Sequence, residues 1–309
     1  MWNLGRYIPW MAENLLPGGV TFYLADYWPK EPDTNEQYWK EQANRGGSFG
    51  WRRFIANLIL PRLAIQHKRF RIAFDNVIFV SHSVQNQFIK SGYQWAKKGC
   101  VIYNGVDIKQ FSPIDNNTSL IDGYLLFVGS LSPHKGLQTV IDALALLIND
   151  PDIAPVMLRV AGSGHEAHIC DIYSQVTKLG LNGRIELLGK LERSKMPDLY
   201  RHARALVFPS IWQEPLARTT QEAMACGVPV IATLTGGTAE LVENRINGLT
   251  FEPGDARVLA AQIKYLWANP ELVRQMGKAA RKTIEERFDI EFTSTQIENY
   301  LVKLNETRL

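Results

Sequence analysis

The sequence predicts an α/β protein of two Rossmann-like domains, the first of them incomplete. Three observations lead there. From residue 123 onward, short apolar runs alternate with helical stretches, and that alternation builds a parallel, doubly wound sheet. The chain has 309 residues, a length that favours two domains over one. A polar stretch at 107–122, with Pro113 and the run Asp115-Asn-Asn-Thr-Ser119, divides this regular part from an opening part with only three strands. The domains expected are 1–115, 116–288 and a terminal helical segment, 289–309.

Composition narrows the class. A content of 46% hydrophobic and 21% charged residues is that of an ordinary globular chain. No apolar run approaches the length of a membrane span. Met1-Trp-Asn-Leu-Gly-Arg6 lacks the design of a signal peptide, because a charge interrupts the apolar stretch and no small-residue cleavage site follows. Cys100, Cys170 and Cys226 are scattered, odd in number and without metal-ligand spacing, so they are expected to be reduced and buried, as in a cytoplasmic protein. Residues 1–115 hold 14 Lys/Arg against 9 Asp/Glu, a balance of +5, while the remainder holds 20 against 22, a balance of −2. A basic front half suits peripheral contact with an anionic membrane at its inner face, or anionic substrates. Plain solvation of surface charge is the commoner cause of such a bias. No nucleic-acid partner is expected.

Along the chain, residues 1–17 read as a short amphipathic helix interrupted by Pro9. Val20 to Ala25 is a strand by its β-branched and aromatic content, followed by Asp26. Residues 29–50 are a long polar loop. Residues 51–74 form a basic helix broken at Pro61; a core-facing helix with a basic outer face is preferred to a membrane-surface helix. Asn76 to Val80 is a strand, Ser81 to Ser83 caps a helix reaching Ser91, and Gly99 to Tyr103 is the third strand. Beyond the polar stretch, strands are expected at 123–128, 156–161, 184–188, 205–208, 228–232 and 248–251. Leu137, Val140, Ile141, Leu144, Leu147 and Ile148 form one apolar helical face. Three helices, from Asp255, Glu271 and Ile290, close the chain.

The most informative stretch runs from Ser210 to Val230. The buried run Ala205-Leu-Val-Phe208 stops at Pro209. A loop bearing Glu214 follows, then a helix from about Arg218 that carries Glu222 and ends at Gly227. One carboxylate thus sits on a loop at the carboxyl end of a parallel strand, where open α/β sheets bind ligands, and a second sits on the next helix. The loop N–H groups and helix N-terminus suit phosphate.

This stretch, with its Pro-Ser, Glu-Pro-Leu and Glu-Ala-Met-Ala-Cys-Gly-Val-Pro-Val, resembles the E-x7-E signature of family 4 glycosyltransferases. The resemblance covers essentially the whole chain but starts partway through that family's N-terminal domain. It implies the GT-B fold, two Rossmann-like domains facing a cleft, with 1–115 as the acceptor side and the helix Ile290 to Leu304 packing back towards it. A short, truncated or split member is the expectation.

The implied activity is transfer of a hexosyl group, with retention, from a nucleotide-diphosphate sugar to a hydroxyl of a glycan, lipid or small molecule. A half that binds nucleotide sugar without efficient transfer is the alternative. The resemblance assigns the donor to Gly129, Ser130, Lys135, Gly162, Lys190, Leu191, Glu214, Leu216, Ala217, Arg218 and Glu222. Lys135 would meet the diphosphate, and Ser130 stands where the family motif has Arg. Glu214 would face the donor sugar, with the N–H groups of Leu216, Ala217 and Arg218 nearby. Glu222 would accept from the ribose hydroxyls, and the backbone at Lys190-Leu191 would read the base. The resemblance implies Glu214 and Lys135 as the catalytic pair. Asp26 occupies the position of an acidic residue on the acceptor side, although the family commonly has His where this chain has Ala25. The donor expected is a UDP- or GDP-sugar, without a cofactor or metal. Asp150-Pro-Asp152 fits the D-x-D pattern of metal-dependent transferases but lies between a helix and a strand start, so it reads as a turn. His165 reads as a solvent-edge residue.

Overall fold

The computed structural model describes residues 21–25, 76–114 and 123–306. The expected helices at 1–17 and 51–74, the loop at 29–50, Asp26 and the run 115–122 lie outside the described residues. The chain divides into two compact units, Met1–Val101 and Ile102–Leu309.

In the first unit, β1 (Thr21–Leu24), β2 (Asn76–Phe79) and β3 (Cys100–Val101) form a parallel sheet in that order. Helix α1 (His82–Lys90) begins at Ser81, whose Oγ accepts the Val84 N–H at 3.1 Å, which satisfies one orphan donor of the first turn. β3 is shorter than the expected 99–103.

The second unit holds β4 (Tyr124–Val128), β5 (Leu158–Ala161), β6 (Ile185–Gly189), β7 (Ala203–Phe208), β8 (Val230–Ala232) and β9 (Gly248–Thr250). Every neighbouring pair is parallel, and the sheet order is β6-β5-β4-β7-β8-β9. The order therefore reverses between β4 and β7, which places the ligand crevice of such a sheet outside their carboxyl ends. The connecting helices are α2 (Leu137–Leu147), α3 (Glu166–Lys178), α4 (Met196–Arg201), α5 (Arg218–Ala225) and α6 (Ala256–Ala268). Then come α7 (Pro270–Arg287) and α8 (Ile290–Glu306).

The apolar face read for α2 is buried at Leu137, Val140, Ile141 and Leu144, and α2 packs on α6. Val273, Met276, Ala280 and Ile284 recur at helical spacing on α7 and are buried. Burying a side chain the size of Val, Met or Ile contributes about 1.5–3 kcal/mol. α5 is buried at every position from Thr220 to Ala225. Its end follows the expected left-handed cap: Gly227 has φ 74° and donates to Met224 O, while Val228 donates to Ala223 O.

Residues 102–114 are tied into the second unit, which begins at Ile102. Val106 N–H donates to Phe288 O at 2.8 Å, and Ile290 N–H donates back to Val106 O at 3.1 Å. Phe111 is fully buried, and Arg281 Nη1 donates to Ile108 O, Phe111 O and Ala225 O. One reading is corrected: of the three cysteines only Cys226 is buried, and Cys170 is exposed on α3, whose buried residues are Ile172 and Val176. Burial pushes the Cys226 thiol up to about 12, so it is an inert packing group.

Candidate functional site

Two loops meet at the reversal point. After β4, Gly129 N–H donates to Ala161 O at 3.0 Å and Leu131 N–H to Ser163 O at 2.9 Å, which stitches this turn to the one after β5. A methyl group on Gly129 would touch only the Phe127 ring, at 3.7 Å, so the chain's own packing does not demand a glycine there. Gly162 is different: at φ 155°, its Cβ would stand 1.8 Å from Gly129 O, so only glycine lets the two turns approach. Ser130 is exposed, with its hydroxyl 2.9 Å from that of Ser132. One 3-10 turn, Pro133–Lys135, then leads through Gly136 into α2, which has no side-chain cap.

After β7, Pro209 ends the strand and the loop doubles back under Glu214. Lys135 Nζ donates to Glu214 Oε1 at 2.6 Å, and the buried Ser210 hydroxyl donates to the same oxygen at 2.6 Å. Thr233 and Thr235 hydroxyls both donate to Ser210 O, at 2.6 and 3.3 Å. Gly237 N–H donates to Glu214 O at 2.7 Å. Gly236 sits at φ 60°, and a Cβ there would fall 2.1 Å from Glu214 O, so any side chain would push the loop away. The two residues read as catalytic are thus brought together, 79 positions apart in sequence. A lysine near a helix N-terminus is disfavoured by the helix dipole, and the Glu214 carboxylate offsets that cost. Both side chains are largely withdrawn from water, 23% and 10% exposed, so removing either leaves the other poorly compensated.

His134 stands beside this pair. Its ring lies 6.1 Å from that of Trp212, and its carbonyl accepts the Ile211 N–H at 3.0 Å. Burial, and then the Lys135 ammonium, hold the imidazole below its ordinary value; Glu214 pulls the other way.

Leu216 and Ala217 are buried, and Ala217 caps α5 without a side-chain acceptor. The first-turn N–H groups of α5 therefore have neither an intrahelical nor a side-chain cap acceptor, as an anion site requires. Arg218 is exposed at that end.

Glu222, the second carboxylate, is enclosed by protein donors. It is 6% exposed, and both oxygens have protein partners: Tyr200 OH donates to Oε2 at 2.9 Å, and Arg193 Nη1 donates to Oε1 at 3.1 Å. The Arg193 guanidinium lies 5.3 Å from the Phe111 ring centroid. Burial, then the Glu222 charge, push the Tyr200 phenol well above its usual value, so it remains a donor. Lys190 is exposed and Leu191 half-buried, just past β6. Gly162 N–H donates to Gly189 O at 2.8 Å and joins that turn to the others.

Asp150 and Asp152 form a turn in which Asp152 N–H donates to Asp150 Oδ1, and Lys264 Nζ bridges both carboxylates at 2.7 Å. Among the described residues, no group of three His, Cys, Asp or Glu side chains is placed to hold a metal. His165 is exposed and precedes α3. The sequence reading gave no role to Ser210, Thr233 and Gly236 beneath Glu214, or to Tyr200 and Arg193 around Glu222. The run Thr233-Leu-Thr-Gly-Gly-Thr238 at the end of β8 was the available signal for the first group. No spacing announces the second, since Tyr200 and Glu222 meet only through the fold.

Comparison with known proteins agrees with this architecture. A family model described as "Glycosyl transferases group 1" matches residues 110–283. "Putative glycosyltransferase YtcC" of Bacillus subtilis is 30% identical over 207 residues, which span 61% of this chain and 50% of that protein. Anabaena Alr3699/HepE in complex with UDP-glucose is 30% identical with a TM-score of 0.66, over 74% of this chain and 64% of that one. The same protein with UDP and glucose superimposes over 96% of this chain and 74% of its own, at 26% identity and a TM-score of 0.73. The chain spans about half the length of the curated relatives it matches, from 50% to 58%. With more than half of its residues matched by the family model and its sheets built in the GT-B manner, the chain belongs to the group 1 glycosyl transferases.

Proposed function

We propose that this chain moves a hexosyl group from a nucleoside-diphosphate sugar to a hydroxyl acceptor, with retention at the anomeric carbon. The observation that carries the reading is the Lys135–Glu214 pair, at 2.6 Å, where the sheet order reverses and two helices begin without side-chain caps. Lys135 exchanges Glu214 for the donor's diphosphate and neutralises the charge that grows as that group leaves. Glu214, freed but still held by Ser210, accepts hydrogen bonds from the sugar hydroxyls. The backbone at Leu216, Ala217 and Arg218 faces sugar or phosphate. Gly129 leaves room for the diphosphate, and Ser130 offers a hydroxyl in place of a cation. Glu222 takes the ribose, and Lys190-Leu191 the base.

In the transfer step the acceptor oxygen bonds to the anomeric carbon on the face from which the phosphate oxygen departs. The acceptor proton passes to that phosphate oxygen. Two helix N-termini and Lys135 supply the positive field, so the reading requires no divalent ion, cofactor or nucleic acid. Asp26 is assigned to the acceptor side, and the acceptor class extends from glycans to lipids and small molecules. The cytoplasm, with peripheral contact at the inner membrane face through the basic front half, is the proposed location. Alr3699/HepE holds UDP and UDP-glucose, which makes uridine the first nucleoside to try.

Calorimetric titration of the chain with UDP and GDP, with and without EDTA, tests the donor side. One of the two nucleotides is expected to bind equally well in both buffers. No binding of either, or binding abolished by EDTA, overturns the reading.

A further inference from the structure

Glu222 is held differently on its two oxygens. Oε2 accepts from Tyr200, a fully buried phenol at the end of α4, at 2.9 Å. Oε1 accepts from Arg193, whose side chain is 56% exposed, at 3.1 Å. Tyr200 cannot leave: its ring packs edge-on to the buried Phe111 at 6.0 Å, and removing its hydroxyl would strand a carboxylate oxygen in a dry interior. Arg193 is the more exposed of the two donors, its guanidinium lying 5.3 Å from the Phe111 ring centroid, so of the two it is the one that a ligand hydroxyl can replace on the buried carboxylate.

We infer that Tyr200 is a positioning residue that fixes Glu222 so that Oε1 alone is presented to a ligand, with Arg193 as its exchangeable cover. A carboxylate free to rotate would offer either oxygen in many directions. Tied at Oε2, it offers one acceptor in one direction, which is what reading a pair of ribose hydroxyls needs. The inference rests on the reading that Glu222 takes the ribose, and it adds that this selectivity is set by a buried phenol with no access to ligand. It also assigns Arg193 no part in ribose selectivity, although Arg193 is the charged neighbour.

The test compares UDP with 2′-deoxy-UDP by calorimetry on the full chain. Wild type is expected to prefer UDP about tenfold, the discrimination of one good hydrogen bond. Glu222→Gln should erase the preference; if it does not, the ribose reading itself fails, whatever Tyr200 does. Given that loss, Tyr200→Phe should bring the preference to about twofold or less while leaving 2′-deoxy-UDP affinity unchanged, and Arg193→Met should keep the tenfold preference. A Tyr200→Phe protein that keeps the preference, or weakens both nucleotides equally, overturns the inference, as does an equal loss in Arg193→Met.

Discussion

Glu214 and Glu222 stand eight residues apart and have different neighbours. Glu214 faces a lysine and a serine on two loops; Glu222 is sunk between a phenol and a guanidinium. Their substitution should therefore separate in effect. Glu222→Ala is expected to weaken UDP binding by about 1.5–3 kcal/mol, the range for a hydrogen bond to a charged group. Glu214→Ala should leave UDP affinity nearly intact and slow consumption of UDP-glucose. Equal losses of UDP affinity in both would contradict the division of roles. His134 makes a pH-dependent contribution. Because its folded value is depressed, the stability it contributes is present above the unfolded value of 6.5 and is lost as pH falls through the folded value. Thermal melts at about pH 7.5 and 5 should show a smaller gap for His134→Gln than for wild type; an unchanged gap would exclude His134 as a source.

At the scale of elements, α5 is the piece on which most else depends. It carries Glu222, ends beneath a buried face and contacts α7. Arg281 of α7 closes that arrangement: its Nη1 donates at 2.7 Å to Ala225 O, at the C-terminus of α5, and also to Ile108 O and Phe111 O. A cation at a helix C-terminus is favoured by the dipole, and here it also pins the segment 108–111. Arg281→Met keeps most of the stem's packing but strands three carbonyls. Denaturant unfolding should show a loss of roughly 2–4 kcal/mol. A loss under about 0.5 kcal/mol, the usual size for a surface substitution, would show that Arg281 is a surface residue in effect.

At the scale of the molecule, every residue proposed for the donor side, from Gly129 to Glu222, belongs to the second unit, which has its own six-stranded sheet and core. Residues 102–309 are therefore expected to fold alone with a single cooperative transition. They should bind UDP within about threefold of the full chain, a difference under 1 kcal/mol. An unfolded fragment, or one that binds more than about tenfold worse, would show that the donor site is not self-contained. Among the described residues no helix is long and apolar enough to cross a membrane.

Local chemistry made much of this legible in the sequence. Strand–helix alternation announced the parallel sheet, since each periodicity follows from which face a side chain points to. Pro209 and Gly227 marked the ends of β7 and α5, because proline lacks a donor and glycine tolerates positive φ. The loop-borne Glu214 and the helix-borne Glu222 were visible for the same reason. Tertiary structure alone decided what those carboxylates touch. Lys135 meets Glu214 because the sheet order reverses between their two strands, and no local pattern encodes a strand order. Tyr200 reaches Glu222 from a different helix, across a core. Residues 107–114 looked like part of a polar connection by composition. The fold took them into the second unit, because Val106 found a backbone partner in Phe288 and the 108–112 carbonyls found Arg281 and Arg201.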